Sequence, residues 1–210
     1  MFNFFKKKDN GQYNSLMLLI FEKLQDQYPQ IYRQLAEGLI IGCRRMIQKP
    51  LPNYTNFNYN IKILNRFEDK SGRGGAIKGI FVFDQISNRY LELNVHIDYG
   101  IMIGFWVPAS RKFKFDSSKI DIGKQYIYYF ENEDFKELKS IIGAKQAELL
   151  NESDVNKVLL NGKDYFAIGE VEDGQYIVID LDGKVYYASY QPFTLRLIEN
   201  PLNEVLNSLK

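Results

Sequence analysis

The sequence predicts an α+β protein with N-terminal helices, a mixed or antiparallel twisted sheet, a C-terminal three-stranded meander and a closing helix. Apolar residues first recur every three or four positions and then, in the middle of the chain, every second position. Near the end, Asn-Gly and Asp-Gly pairs separate short apolar runs, which is typical of consecutive hairpins. Helices, a sheet, a helix pair and a meander in that order indicate an α+β domain.

The helical period begins after a short N-terminal end. Residues 1–12 are interpreted as a mobile end, with a weakly membrane-touching tail as the alternative because aromatic and lysine side chains adjoin there. A first helix is predicted over Ser15 to Tyr28. A second is predicted from Pro29 to about Gln48, since proline fits a first helical turn. Residues 13–49 are therefore assigned to helices.

The middle, residues 53–130, is predicted to be rich in strands because its apolar residues alternate. The predicted strands are Asn60 to Phe67, Ala76 to Asp84, Arg89 to Asp98, Ile101 to Val107 and Gln125 to Phe130. Residues 133–160 read as helical, with a break at Gly143. We expect the whole of residues 13–210 to form a single α+β domain.

The last fifty residues, 161–210, carry the clearest local pattern. Three runs form the predicted meander: Tyr165 to Glu170, Gln175 to Asp180 and Lys184 to Tyr190. The Asp-Gly pairs between them supply the positive φ angles that tight hairpins require. Pro201 then opens a final helix with a leucine-rich stripe.

Composition narrows the function classes. One Cys cannot form an intramolecular disulfide, and one His removes every metal motif with two histidines, so we expect no metal and no cofactor. A net charge of +1 gives no reason to expect a nucleic-acid or membrane partner. The longest apolar runs are too short to span a membrane, and a cytoplasmic location is expected.

The charge is unevenly distributed along the chain. Residues 161–210 contain four basic and eight acidic side chains, a net charge of −4, so the other 160 residues carry +5. The acidic residues cluster near the Asp-Gly turns, which predicts a negative rim at one end of the meander that steers basic partners. The alternative is that turns simply favour Asp. The candidate partner-binding residues are Glu170, Glu172, Asp173, Asp180 and Asp182.

Two other constellations suggest different functions. His96 with Glu92 or Asp98 forms a candidate acid/base pair of a small intracellular enzyme, although a solvated strand face explains the same alternation. Arg111 to Lys119 interleaves basic and aromatic residues, as in regulatory proteins that bind nucleic acid. The alternative there is a strand with Phe113 and Phe115 facing inward.

A resemblance supports the binding hypothesis. The stretch DYFAIGEVEDGQYIVIDLDGKVYYASYQPFTLRLIENPLNEVLNSL, Asp164 to Leu209, resembles the closing part of the SUKH superfamily, bacterial immunity proteins related to a yeast regulator of cell-wall glucan synthesis. A weaker similarity lies in YPQIYRQL, Tyr28 to Leu35. The chain departs from that family at Gly38 to Arg45, where an Asn-Gly-Gly-type turn is absent, and in its longer strand-rich middle.

The resemblance implies a non-catalytic protein that neutralises a bacterial toxin by occluding its active site. Its partner would be a basic toxin domain, with the candidate carboxylates standing in for the phosphates of the toxin's substrate. Tyr186, Tyr187 and Tyr190 are the candidate aromatic anchors. Alternation along the strand places Tyr186 and Tyr187 on opposite faces, so at least one of them is expected in the core.

Overall fold

The computed structural model describes residues 10–45, 53–70, 72–108, 113–172, 174–190 and 192–208. Residues 1–9 of the predicted mobile end lie outside the described residues, whereas residues 10–12 belong to the first helix, so the prediction is wrong at those three positions. The chain is an α+β protein, as predicted. Its contacts divide it into two compact units: unit 1 is Met1–Asp69 with Gly74–Phe130, and unit 2 is Lys70–Arg73 with Glu131–Lys210. The sequence pattern, which suggested one domain over 13–210, showed no boundary at these positions.

Unit 1 contains three helices and seven strands within its described residues. The helices are α1 (Asn10–Lys23), α2 (Pro29–Ala36) and α3 (Ile61–Phe67). The strands are β1 (Ile40–Arg45), β2 (Tyr54–Tyr59), β3 (Gly75–Asp84), β4 (Arg89–Asp98), β5 (Ile101–Trp106), β6 (Phe115–Asp121) and β7 (Tyr126–Tyr129).

The seven strands form one antiparallel sheet in the order β1-β2-β5-β4-β3-β6. The first half of β3 pairs with β7 and the second half with β6. One face of the sheet packs against α1 and α2, through apolar side chains such as Ile20, Phe21, Leu93 and Phe105, none of which is accessible to solvent. Burial on this scale is the main source of the unit's stability.

The predicted second helix is too long. It ends at Ala36 because Gly38 adopts a left-handed φ of +82°. The amides of Gly38 and Leu39 then donate to the carbonyls of Leu35 and Gln34, which is the glycine-terminated Schellman cap. The following residues form β1 rather than more helix, so the assignment of 13–49 to helices is wrong for residues 37–45. Residues 46–49 of that assignment lie outside the described residues.

The predicted strand Asn60 to Phe67 is also wrong, since Ile61–Phe67 form α3. The Asn60 side chain accepts a hydrogen bond from the amide of Lys62, so it caps the helix. The strand next to it is β2, immediately N-terminal to that cap. The other four predicted strands of the middle are confirmed, as β3, β4, β5 and β7.

Unit 2 contains a five-stranded antiparallel sheet with helices on one face. The strands are β8 (Asn156–Leu160), β9 (Lys163–Glu172), β10 (Gln175–Asp180), β11 (Val185–Tyr190) and β12 (Phe193–Leu197), in the order β12-β11-β10-β9-β8. The helices are α4 (Glu133–Ile142), α5 (Ala144–Ala147) and α6 (Leu202–Ser208), with a 3-10 turn at Glu152–Asp154.

The predicted meander is confirmed as β9, β10 and β11, and the closing helix as α6. The sheet extends beyond the meander at both sides, through β8 and β12. β8 overturns the helical assignment of residues 133–160 at its C-terminal end, whereas the predicted break at Gly143 is confirmed. Leu138 of α4 and Leu206 of α6 pack with Phe166, Ile177 and other sheet residues in the unit's main core.

No helix in the described part of the chain has both the length and the apolar composition needed to cross a membrane.

Candidate partner-binding surface

The two faces of the unit 2 sheet differ in what covers them. The side chains of Phe166, Ile168, Ile177 and Ile179 point to the helices. Side chains on the opposite face form a second cluster that contains no helix residue. We call this second face the tyrosine face, and define it by Tyr165, Tyr176, Tyr186, Leu195 and Leu197.

The residues at the centre of the tyrosine face are buried, and those toward its edges are more accessible to solvent. Val178 and Ala188 lie at its centre and are almost fully buried. The rings of Tyr165 and Tyr186 meet edge to face with centroids 5.7 Å apart. Tyr176 and Leu195 are half-buried, and Leu197 is 49% exposed. Aromatic side chains with partly accessible edges are common anchors in protein interfaces.

The predicted acidic residues do not form one rim. Consecutive turns of an antiparallel meander lie at opposite ends of the strands. Glu172 pairs with Gln175 at the β9–β10 turn, whereas Asp180 pairs with Tyr165 near the β10–β11 turn. Since β10 is six residues long, these ends are separated by about 17 Å at 3.3 Å per residue. The prediction of a negative rim at one end is therefore wrong, and the acidic residues instead bracket the tyrosine face.

Glu170 marks one end of the tyrosine face. Its register with Tyr176 places both side chains on the same face. The carboxylate is exposed and accepts a hydrogen bond of 3.1 Å from the amide of Gly174. Asp173 and the side chain of Glu172 lie outside the described residues, so two of the five candidates have no structural account.

Asp180 marks the other end and holds the β10–β11 turn together. Its Oδ1 accepts hydrogen bonds from the amides of Asp182 and Lys184, at 2.9 and 2.8 Å. Its Oδ2 accepts one from the Tyr186 hydroxyl at 2.8 Å, and that hydrogen bond, together with burial, raises the pKa of Tyr186 to about 12. Asp180 is thus a turn-forming residue, while Asp182 is exposed beside it.

The two candidate tyrosine anchors separate as predicted. Tyr187 packs with the helix-side core, and Tyr186 belongs to the tyrosine face. The Arg196 guanidinium lies 5.7 Å from the centroid of the Tyr187 ring. The side chain of Tyr190, the third candidate anchor, is outside the described residues.

His96 of unit 1 lies on β4 between two aromatic rings. Its ring centroid is 5.1 Å from that of Tyr54 and 5.5 Å from that of Phe130. Burial, and to a lesser extent the Lys78 ammonium, lower the pKa of His96, which favours the neutral imidazole. Because Asn94 on the same face is buried, the interpretation of this strand face as solvated is wrong.

The two carboxylates predicted to assist His96 are bound to the backbone. Glu92 Oε1 accepts from the amide of Gly79 at 3.0 Å, and Asp98 Oδ1 accepts from the amide of Tyr99 at 3.1 Å. Such bonds fix strand and turn geometry. Within the described residues, no group of three or more His, Cys, Asp and Glu side chains is placed to hold a metal ion.

The basic and aromatic segment predicted as an alternative nucleic-acid site is only partly described. Arg111 and Lys112 lie outside the described residues. Phe113 and Phe115 stack with centroids 4.8 Å apart in the core of unit 1, which confirms the prediction that they face inward. Lys114 is exposed, and Lys119 lies 4.4 Å from the ring centroid of Phe83.

A groove that the sequence did not reveal lies beside the last strand. It has a volume of about 600 Å³ and runs between β12 and α6. Its lining includes Tyr187, Arg196, Glu199, Glu204 and Val205. The run FTLRL, with apolar residues alternating over five positions, is the pattern that could have identified β12 and hence this groove.

Comparisons with protein-family models, curated proteins and solved structures gave no match to this chain.

Proposed function

We propose that this protein is a non-catalytic immunity protein, located in the cytoplasm, whose tyrosine face covers the catalytic cleft of a basic bacterial toxin domain. The observation that carries the proposal is that acidic residues lie at both ends of the strands that form this face, with Glu170 near the β9–β10 turn and Asp182 in the β10–β11 turn. Tyrosines supply apolar contact area at low entropic cost, and flanking carboxylates attract and orient a basic partner.

The charges of the two units support this assignment. Unit 2 contains 15 acidic and 10 basic side chains, a net charge of −5, whereas unit 1 contains 11 acidic and 17 basic ones, a net charge of +6. A domain with net negative charge raises the association rate of a basic partner. A toxin that cleaves a phosphate-bearing substrate has such a basic cleft, and the carboxylates occupy the place of the phosphates.

The proposal is tested with the protein encoded next to this chain's gene. Glu170→Lys and Asp182→Lys should each lower the association rate about tenfold at low salt, because each reverses a charge at an end of the tyrosine face. Tyr176→Ala should raise the dissociation constant at least tenfold by removing an anchor. Surface plasmon resonance at two salt concentrations measures both effects.

Glu148→Lys is the matched control, since it makes the same charge change at an exposed position following α5. It should alter the association rate less than threefold. Equal effects of all three lysine variants would show that net charge alone attracts the partner. No binding to the neighbouring product, or no protection of cells from it, would reject the immunity function.

A further inference from the structure

Among the residues that the structure describes, no strand pairs with the outer edge of β12. β12 ends the described sheet and pairs with β11, with Leu195 opposite Ala188. The amide of Ile198 donates to the carbonyl of Val185 at 2.8 Å. Because hydrogen-bonded and non-hydrogen-bonded pairs alternate along an antiparallel ladder, Leu197, Leu195 and Phe193 occupy the non-hydrogen-bonded positions. Their amides and carbonyls therefore point away from β11.

Few of the features that usually block strand pairing are present within β12. The strand has the sequence FTLRL, with a single charged residue and no proline, although Pro192 directly precedes it. Phe193 and Leu197 are 38% and 49% exposed. Natural sheets protect such edges with prolines, bulges or several charges, so an edge of this kind is suited to accept another strand.

The groove adjoins the same edge. Side chains alternate along β12, so Leu195 and Leu197 lie on the tyrosine face while Arg196 points to the helix side, over the Tyr187 ring. The groove between β12 and α6 is lined by Arg196 and Leu197 of the strand and by Glu199 and Glu204 beyond it. An added strand would place alternate side chains beside Leu195 and Leu197 and the intervening ones in this groove.

We propose that β12 binds an extended segment of the partner by strand addition, and that this segment alternates apolar with basic residues. The apolar side chains extend the tyrosine face, and the basic side chains enter the groove and meet Glu199 and Glu204. Two carboxylates against the one guanidinium of Arg196, which is held over Tyr187, favour basic over acidic side chains. The inference rests on the proposed function for the identity of the partner, whereas the preference for basic side chains follows from Glu199 and Glu204.

The test uses the full chain and a defined peptide, acetyl-(Lys-Val)₄-amide. In an NMR titration the peptide should protect the amides of Phe193, Leu195 and Leu197 from hydrogen exchange and shift the resonances of Glu199 and Glu204. Acetyl-(Glu-Val)₄-amide should bind at least tenfold more weakly, because it places like charges in the groove. Protection elsewhere, or no protection at millimolar peptide, would overturn the inference.

Two substitutions at one position separate backbone pairing from side-chain packing. Both Leu197→Pro and Leu197→Ala remove the leucine side chain. The proline variant also lacks the outward-directed backbone amide, whereas the alanine variant keeps it. The proline variant should bind the peptide at least tenfold more weakly than the alanine variant. Equal affinities would argue against strand addition. If the proline variant does not fold, the test of strand addition is whether the peptide protects the amides of Phe193, Leu195 and Leu197 in the unmodified chain.

The result is distinguishable from the test of the proposed function. If the Glu170 and Asp182 variants weaken the toxin complex but Leu197→Pro binds both the peptide and the toxin like Leu197→Ala, the immunity function stands and strand addition fails. If the proline variant alone loses peptide binding while no toxin complex forms, strand addition stands and the immunity function fails.

Discussion

Asp84 shows how one buried carboxylate organises a turn in unit 1. It is 1% exposed at the end of β3. Its oxygens accept hydrogen bonds from the Ser87 hydroxyl at 2.6 Å, the Ser87 amide at 3.0 Å and the Lys114 amide at 2.7 Å. Burial opposes ionisation of the group, but these hydrogen bonds together outweigh burial and lower the pKa of Asp84. The carboxylate joins the β3–β4 turn to the segment that leads into β6.

This lowered pKa predicts a loss of stability in acid. Because the folded pKa lies below the unfolded value of about 3.9, the contribution is present above that value and is lost as the pH falls through the folded pKa. Asp84→Asn should cost about 1–3 kcal/mol at pH 7 and should flatten the decline in the free energy of unfolding below pH 4. Urea denaturation between pH 2 and pH 7 measures both effects. Parallel curves for the two proteins would contradict the assigned role.

At the scale of elements, a glycine bulge allows β3 to pair with two strands. The β3–β4 register shifts between Ile77 and Ile80. Gly79 lies in this interval with a φ of +74°, and a Cβ there would collide with the backbone carbonyl of Lys124. Before the bulge β3 pairs with β7, and after it with β6. The bulge thus divides one long strand between two partners.

Gly79→Ala is expected to destabilise unit 1 by about 3 kcal/mol or more, since it combines an unfavourable φ with a clash against backbone. Gly162→Ala is the matched control, because Gly162 has the same φ of +74° but a Cβ added there would meet nothing within 4 Å. The free energy of unfolding of the Gly162→Ala variant should fall by only about 1 kcal/mol. Chemical denaturation of both variants measures how much each substitution lowers the free energy of unfolding, and the difference between the two values is the cost of the clash. Similar values would mean that the positive φ angle alone explains both losses of stability.

The sequence predicted elements whose signals are local. The Asp-Gly turns and alternating apolar runs identified β9, β10 and β11, and proline and glycine positions identified the start of α2 and the end of α4. Ile61–Phe67 was misassigned because its short apolar pattern suits either period, and the hydrogen bond from the Lys62 amide to the Asn60 side chain decides for helix. The end of α2 before Gly38 was not predicted, because the row of apolar residues continues past the glycine.

The candidate site was less predictable, because it depends on pairing between distant segments. Counting charges found the acidic residues, but only the register of β10 with its neighbours shows that Glu170 and Asp180 lie at opposite ends of a face. Likewise, alternation separated Tyr186 from Tyr187, whereas the groove requires the packing of α6 beside β12. These features follow from sheet order, which a single sequence does not specify.

At the scale of the whole molecule, the two units have separate cores and opposite net charges. The core of unit 1 is built on Phe105 and its neighbours, and the main core of unit 2 on Phe166 and its neighbours, with no residue in common. Both rings are fully buried. Since burial of apolar side chains is the main term in stability, each unit should respond chiefly to changes in its own core.

Phe166→Ala should therefore cost about 3–5 kcal/mol and act mainly on unit 2. In hydrogen–deuterium exchange followed by mass spectrometry, peptides from β9, β10 and α6 should exchange faster, while peptides from β3, β4 and β5 should keep their protection. Phe105→Ala, the same substitution in the core of unit 1, should give the reverse pattern. Loss of protection across both units in either variant would show that the chain unfolds as one cooperative body, as the single-domain prediction implied. If unit 2 responds alone, the proposed binding of a partner through the tyrosine face should be weakened in Phe166→Ala and retained in Phe105→Ala.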